Sequence, residues 1–288
     1  MTNPTPMNIR WAATRAGLSR GWIETRQSFT ETVNVIGHAI PAAACIAVLV
    51  MLRGKNMPGT DFALGTMVLP SLLSMSIVLG GLSAPTSGLV ADREDGTLLR
   101  AKATPHGMLG YLVGKIVLFT LTTLVGFIAV VLPGIMIVDD LMLNGRTWLL
   151  LALIFIVGMV STVPIGVALG SIMKSSVQAM LVPIACTLLI VPSGIFYPIT
   201  ATPTWVQWVG QVFPFYWVGL GARSAMLPGE MVSAEIGQSW RTAEMFAVLG
   251  GWAVIGLLLA PILLRRMARR QSGSAVAKVR ERYMSKGY

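Results

Sequence analysis

Two long stretches without a charged residue constrain the fold of this chain more than any other feature. One covers residues 62–91 and the other covers residues 116–138. Between them, the eleven residues 92–102 carry six charges. About 20 apolar residues in a helix are enough to cross the hydrocarbon core of a bilayer. The pattern therefore predicts two membrane-spanning helices joined by a charged segment that lies in water beside the membrane.

The composition extends this prediction to the rest of the chain. Of its 288 residues, 54% are hydrophobic and only 12% are charged, whereas soluble domains average about 25% charged residues. We therefore predict an all-α membrane protein with six transmembrane helices. The spans are placed at residues 33–52, 63–89, 108–138, 148–172, 179–196 and 245–264. Gly166 and Gly170 form a small-xxx-small pair in the fourth span, which favours close contact with another helix.

The distribution of Lys and Arg residues predicts the orientation. With both termini in the cytoplasm, 17 of the 22 basic residues fall in inner segments and five fall in outer loops. Membrane proteins keep an excess of Lys and Arg on the cytoplasmic side. We therefore predict an N-in, C-in topology, with residues 92–102 and a basic tail (265–288) in the cytoplasm. This placement at the ends of apolar runs also argues against nucleic-acid binding as the reason for the net charge of +10.

The first 32 residues predict an amphipathic helix that lies on the membrane surface. Trp11, Leu18, Trp22 and Phe29 are spaced by seven, four and seven residues, so they share one face of a helix. Such a face binds membrane lipids at the interface. The alternative is a disordered tail that carries a few tryptophans.

A Pro- and aromatic-rich segment separates the fifth and sixth spans. Residues 197–228 contain four prolines together with Tyr197, Trp205, Trp208, Tyr216 and Trp217. Tyr and Trp concentrate at the two interfaces of a membrane. We predict short re-entrant or surface helices on the outer side, in which anchoring at the interface is favoured over contact with a substrate.

The sequence shows no catalytic constellation, no metal site and no cofactor motif. The segment 110–116 has one residue too few between its glycines for a P-loop, and Ile116 stands where a Mg²⁺-binding hydroxyl is needed. A zinc-protease helix and a hydrolase elbow are also lacking. Ionisable residues, which mark coupling-ion sites inside membranes, are scarce in the spans. We therefore predict that this chain is not an enzyme, and that energy for any work enters from another protein.

Two motifs resemble the membrane subunit of ABC-2 type exporters, and most closely the daunorubicin-resistance-like permeases. The first comprises residues 92–100, residues 103–105 and the run from Tyr111 to the Gly114-Lys115 pair. The second comprises residues 194–199 with Pro203 and Trp205, and it continues through Pro214 to residues 221–223. The motifs occur in the order of that family, and with the predicted spans they cover almost the whole chain.

The resemblance implies partners and roles that composition does not reveal. A separate ATP-binding-cassette subunit would bind ATP and Mg²⁺, and a second copy or paralogue of this chain would complete a dimer. The N-terminal helix would be a connecting helix, and the turn 174–178 a smaller coupling element. A coupling segment would contact the ATPase, and it comprises Asp92, Arg93, Glu94, Asp95, Gly96, Thr97, Leu98, Leu99 and Arg100. An outer gate would comprise Phe196, Tyr197, Pro198, Trp205, Trp208, Pro214 and Arg223.

Within the coupling segment, the resemblance suggests a role for each residue type. Glu94, Asp95 and Arg100 would offer ionic contacts, and Gly96 would permit a tight turn. Leu98 and Leu99 would fill an apolar groove of the partner. The structural alternative is that these charges only cap the second and third spans and set the topology.

The resulting functional hypothesis is a permease in a bacterial cytoplasmic membrane that exports a hydrophobic or amphiphilic compound, such as a drug, lipid or secondary metabolite. One alternative is a subunit that exports polysaccharide or glycolipid. Another is an assembly or immunity protein that uses the same fold without pumping. A membrane-embedded enzyme is disfavoured because no catalytic constellation is present.

Overall fold

The computed structural model describes residues 6–56, 63–104, 107–139 and 141–270, with side chains described from residue 11 to residue 269. Within this part of the chain the secondary structure is helical, apart from an isolated bridge between Asn56 and Ala63. Pro105 of the first motif and residues 271–288 of the predicted tail lie outside the described residues.

Eleven α-helices follow one another in the described residues. They are α1 (Pro6–Ser28), α2 (Thr32–Leu52), α3 (Leu64–Glu94), α4 (Thr97–Lys102), α5 (Gly107–Ile137), α6 (Gly145–Ile172), α7 (Ser176–Ala179), α8 (Leu181–Ile190), α9 (Thr204–Val212), α10 (Pro214–Met226) and α11 (Thr242–Arg270). Short 3₁₀ turns at Ile199–Ala201, Gly229–Ala234 and Ile236–Gln238 join the last three helices to their neighbours.

Five of these helices are long and apolar enough to cross a membrane. They are α2, α3, α5, α6 and α11, and they coincide with the predicted first, second, third, fourth and sixth spans. Their lengths of 21 to 31 residues correspond to about 30 Å or more at about 1.5 Å per residue. The chain is therefore a multi-pass, all-helical membrane protein.

The predicted fifth span differs from this pattern. The consecutive helices α7 and α8 together cover only Ser176–Ile190, or about 22 Å at about 1.5 Å per residue, which is shorter than the hydrocarbon core. Pro192 cannot donate a backbone hydrogen bond, and Gly194 adopts a left-handed conformation with φ +67°. The helix therefore ends before the predicted limit at residue 196, and a sixth full span remains a prediction.

Helices α3 and α6 pack against each other at the centre of the bundle, and glycines allow the close approach. A Cβ atom added to Gly166 would lie 2.6 Å from the carbonyl oxygen of Gly81, and one added to Gly170 would lie 2.9 Å from that of Thr86. The Thr86 hydroxyl donates across the same contact to the Gly166 carbonyl at 2.9 Å. This is the close contact that the small-xxx-small pair predicts.

The bundle has two chemically different ends. We call the end that holds residues 92–104 the charged end. We call the end that holds residues 196–241 the aromatic end. Helix α3 connects them, because its Ser71 hydroxyl donates to the Ile195 carbonyl near the aromatic end and its last turn lies at the charged end. The coupling segment and the outer-gate residues therefore lie at opposite ends.

The N-terminal helix α1 packs along the beginning of α5. Gly17 and Gly21 face Gly110 and Gly114, so the two backbones approach closely. Residues of the predicted apolar stripe lie on other faces, where Trp11, Leu18 and Trp22 are 66%, 50% and 62% exposed. They are available to lipid, as an interfacial helix requires. Phe29 falls one residue beyond α1, and its ring packs on His38 with the ring centres 5.3 Å apart.

Candidate functional site

The coupling segment forms two helices with a joint between them. Asp92, Arg93 and Glu94 make up the last turn of α3, and residues 97–100 belong to the short helix α4. Gly96 stands at the joint with φ +76°, a conformation that glycine adopts without steric cost. A turn is therefore present at Gly96, the residue for which the resemblance suggested a tight turn.

An ion cluster joins the charged end of α3 to α5 and α1. The Lys115 ammonium lies 2.8 Å from Asp92 Oδ2 and 3.0 Å from Glu24 Oε2. The Tyr111 hydroxyl donates to the same Asp92 oxygen at 2.6 Å. Arg20 donates to Glu24 Oε1 at 2.6 Å. Two carboxylates and two cations thus balance each other in a cluster to which three helices contribute.

Burial makes this cluster more than a surface ion pair. The Lys115 side chain is 10% exposed, and those of Glu24 and Asp92 are 21% and 16% exposed. Burial raises the pKa of the Glu24 carboxyl, but hydrogen bonds and charge from Arg20 and Lys115 outweigh it and hold the pKa below its ordinary value. Glu24 is therefore held ionised at neutral pH, where it fixes α1 to α5.

Arg93 and Glu94 attach the end of α3 to the end of α6 and to the start of α7. Arg93 Nη1 donates to the Met173 carbonyl at 2.6 Å, at the C-terminal end of α6. Glu94 accepts hydrogen bonds from the hydroxyl and the backbone N–H of Ser176, at 2.6 Å and 3.2 Å. The coupling segment and the 174–178 turn therefore form one continuous surface.

Leu98 has a different environment from the one expected. It is fully buried within this chain, in a cluster that includes Leu89, Val167, Leu264 and Met267. In this conformation it cannot fill the groove of a partner, because α6 and α11 already cover it. Leu99 is only partly buried, so the expectation of an apolar contact with a partner still fits that residue alone.

The exposed surface of the charged end is formed by a smaller set of side chains. Asp95, Arg100 and Lys102 are exposed, and Thr97 is partly so. Arg100 donates to the Thr97 hydroxyl at 3.2 Å, within its own helix. A soluble protein that approaches this end would meet these groups first.

Four residues of the ion cluster were not among the predicted site residues. They are Arg20, Glu24, Tyr111 and Lys115. Two signals in the sequence point toward them, since Lys115 is an isolated cation at the start of an uncharged run and Glu24 is an acidic residue in a basic helix. Ionisable residues at the edge of a membrane span usually have a partner, but periodicity does not reveal which one.

The aromatic end is organised around a buried arginine. Arg223 of α10 is 1% exposed, and its Nε donates to Glu235 Oε1 at 2.7 Å. Its Nη1 donates to the carbonyls of Gly194 and Ile195 at 3.0 Å and 3.1 Å. Because the Ser71 hydroxyl donates to the same Ile195 carbonyl, the turn after α8 is held by both α10 and α3.

The other predicted outer-gate residues divide into exposed and packed groups. Trp205 and Trp208 are each 70% exposed on α9, and Phe196 is 38% exposed. Pro214 is buried at the first position of α10, where its missing N–H costs nothing. Pro198 and Tyr197 are partly buried, and the Tyr197 hydroxyl donates to the Val191 carbonyl. The structure therefore brings Arg223 to this turn and leaves the tryptophans on the surface.

Metal-binding chemistry is not evident in the part of the chain that the structure describes. No group of three or more His, Cys, Asp or Glu side chains is close enough there to hold a metal ion. Cys45 and Cys186 are both buried and unbonded to each other.

Comparison with known proteins identifies the family to which this chain belongs. A family model described as "ABC-2 family transporter protein" matches residues 43–262. This range covers most of the chain, from within α2 to within α11. Among curated proteins, no relative matches this chain.

Proposed function

Because this chain belongs to the ABC-2 family of transporter proteins, we propose that it is the membrane-spanning subunit of an ATP-driven exporter. Members of the family normally work with an ATP-binding subunit. In our proposal that subunit binds and hydrolyses ATP outside this chain. Two copies of this chain, or this chain and a paralogue, form the pathway across a bacterial cytoplasmic membrane.

The proposed cargo is a hydrophobic or amphiphilic compound, such as a drug, a lipid or a secondary metabolite, as in the daunorubicin-resistance-like exporters. The long helices carry few ionisable groups away from their ends, and this composition favours an apolar cargo over an ion. Short helices at the aromatic end are proposed to enter the membrane from the outer side and to close the exit. The exposed Trp205 and Trp208 would anchor α9 in the headgroup region.

The observation that carries this proposal is the construction of the charged end. Asp95, Arg100 and Lys102 form an exposed charged face, and this face is attached to four parts of the bundle. Asp92 reaches α5 and, through Lys115, α1. Arg93 reaches the end of α6, and Glu94 reaches Ser176 at the start of α7. A partner that pushes on this face would therefore move several helices together.

A nucleotide-dependent partner can drive such a movement only if it binds one conformation better than the other. Charged groups at the rim suit this task, because complementary charges on two surfaces select the partner and fix the register in which it binds. We propose that Asp95 and Arg100 make contacts of this kind, and that the buried charges behind them transmit the movement.

The test uses the chain together with an ATP-binding-cassette protein that co-purifies with it. The double variant Asp95→Ala/Arg100→Ala is compared with Arg146→Ala, an exposed arginine at the opposite end of the bundle. Loss of co-purification and of ATPase stimulation in the double variant alone is the expected result. If both variants keep wild-type partner binding and stimulation, the coupling proposal is wrong.

A second experiment distinguishes an ATP-driven exporter from an assembly or immunity protein of the same fold. The same complex is reconstituted with a partner whose ATP hydrolysis is abolished by mutation. Export of fluorescent amphiphiles from vesicles is expected to stop. A cellular phenotype that persists with the inactive partner would indicate an assembly or immunity role instead.

A further inference from the structure

A cavity lies between α2, α3 and α5, away from both ends of the bundle. It has a volume of about 520 Å³ and is lined by segments 37–48, 72–84 and 122–130 of these three helices. Pockets that bind small molecules usually have volumes of about 300–1,000 Å³. The cavity is therefore large enough for a ligand, and neither the coupling segment nor the outer gate contributes to it.

The cavity is long and parallel to the helices. Its wall on α2 extends from Gly37 to Val48, or about 17 Å for eleven steps of about 1.5 Å. The wall on α3 has nearly the same length, from Leu72 to Ala84. A void of this shape in the membrane runs in the direction in which lipid acyl chains lie.

The cavity is reachable from the lipid side. Helix α2 buries only Cys45 and Leu49 against the bundle, so it stands apart from α3 and α5 over much of its length. Val48 lines the cavity and is also 40% exposed, and Gly37 lines it and is exposed as well. The cleft therefore opens beside α2 onto a surface that faces the bilayer.

Most of the cavity wall consists of apolar side chains, and two of its hydroxyl groups are already hydrogen-bonded. The hydroxyls of Ser76 and Thr122 donate to the carbonyls of Leu72 and Leu118 in their own helices, so they offer no free donor. An apolar void does not hold ordered water, which needs several polar partners. Hydrocarbon is the material that fills such a void in a membrane.

One end of the cavity is polar. His38 lines it near the beginning of α2, and its Nε2 lies 3.1 Å from the Ser28 hydroxyl, just before α2. The ends near Val48, Leu72 and Val130 carry only apolar side chains. The cavity thus has the polarity of an amphiphile, with a headgroup end at His38.

We propose that the cleft between α2, α3 and α5 holds one acyl chain of a membrane phospholipid, with the headgroup at the His38 end. This proposal goes beyond the transport function and does not depend on it, because the lipid occupies a single chain without partner or nucleotide. A bound chain would complete the packing of α2, which is otherwise attached to the bundle through few buried side chains.

Two glycines allow the cavity to be filled without disturbing the fold. A Cβ atom added to Gly126 or to Gly37 meets no other atom within 4 Å, apart from those of the immediate backbone, and both residues line the cleft. A leucine at either position occupies the space that we assign to the acyl chain. Gly250 on α11 is the matched control, because it also faces open space but does not line the cavity.

The experiment uses the purified chain in nanodiscs that contain phosphatidylcholine with a diazirine on one acyl chain. After illumination, labelled peptides are identified by mass spectrometry. Label is expected on segments 37–48 and 122–130, and Gly126→Leu is expected to lower it several-fold while Gly250→Leu leaves it unchanged. Gly37→Leu replaces Gly126→Leu if the latter does not fold.

The position of the diazirine tests the orientation. A group near the headgroup should label α2 near His38, and a group near the chain end should label it near Val48. Label that is spread evenly over the exposed faces of α2 and α11, or that is unchanged in the filled variants, would overturn the proposal. A change in oligomeric state of the filled variants without loss of label would instead assign the cleft to contact between two copies.

Discussion

The Lys115 ammonium lies 2.8 Å from the Asp92 carboxylate, so the first turns of α5 are tied to the last turn of α3. Glu24 of α1 binds the same ammonium at 3.0 Å. One cation therefore holds together α3, α5 and the distant N-terminal helix α1. The ion cluster therefore fixes the charged end of α3 to its neighbours. The exposed charges of α4 follow directly after this fixed turn.

Removing the shared cation should leave two carboxylates without compensation. We expect Lys115→Met to lower the free energy of unfolding by about 3–5 kcal/mol, the usual cost of breaking a buried ion pair from one side. Thermal unfolding of the purified protein in detergent measures the loss. Lys115→Met combined with Asp92→Asn and Glu24→Gln should be less destabilised than Lys115→Met alone. Equal losses in the two proteins would show that the cluster contributes only through packing.

The pH dependence of stability should contain a contribution from Glu24. Its folded-state pKa is lowered from an ordinary value of 4.5, so its stabilising effect is fully present above pH 4.5 and is lost as the pH falls through the lower folded-state value. We expect wild type and Glu24→Gln to differ most at neutral pH and to converge in acid. A melting-temperature difference that stays constant across this range would contradict the assignment.

The long uncharged runs were sufficient to predict α2, α3, α5, α6 and α11, because a membrane-length apolar helix depends on local sequence alone. The contact at Gly166 was also predictable, since small residues four apart mark close packing. Glu24 and Lys115 were not paired in advance, because they are 91 residues apart and periodicity says nothing about which helices meet. The buried environment of Leu98 was not predicted either. Its burial depends on contacts with α6 and α11, which local sequence does not reveal.

The glycine seam between α1 and α5 should not tolerate a methyl group. A Cβ atom at Gly21 would lie 2.7 Å from both the Gly114 carbonyl oxygen and the Val117 Cβ, so we expect Gly21→Ala to loosen α1 and to lower stability. The same substitution at Gly250, which faces open space, should raise stability by about 0.5–1 kcal/mol through helix propensity. Limited proteolysis of α1 and thermal unfolding report the two effects. A stabilised Gly21→Ala protein would show that the seam is not tightly packed.

The buried pair of Arg223 and Glu235 should behave as a unit. The two side chains are 1% and 2% exposed, and each keeps one polar atom, Nη2 and Oε2, without a hydrogen-bond partner among the described residues. Such a pair gains little over an apolar replacement, whereas the loss of one partner leaves a desolvated charge. We expect Arg223→Met and Glu235→Leu each to cost about 3–5 kcal/mol.

The double variant Arg223→Met/Glu235→Leu should cost clearly less than the sum of the single variants, because neither charge then remains buried alone. Arg223 also donates to the carbonyls of Gly194 and Ile195, and this contribution is lost in both the single and the double variant. Recovery should therefore be incomplete, and the remaining deficit reports how strongly Arg223 holds the turn after α8. Unfolding of the four proteins in the same detergent gives the coupling energy. A value near zero would mean that Arg223 acts through the two carbonyls and that Glu235 only neutralises its charge.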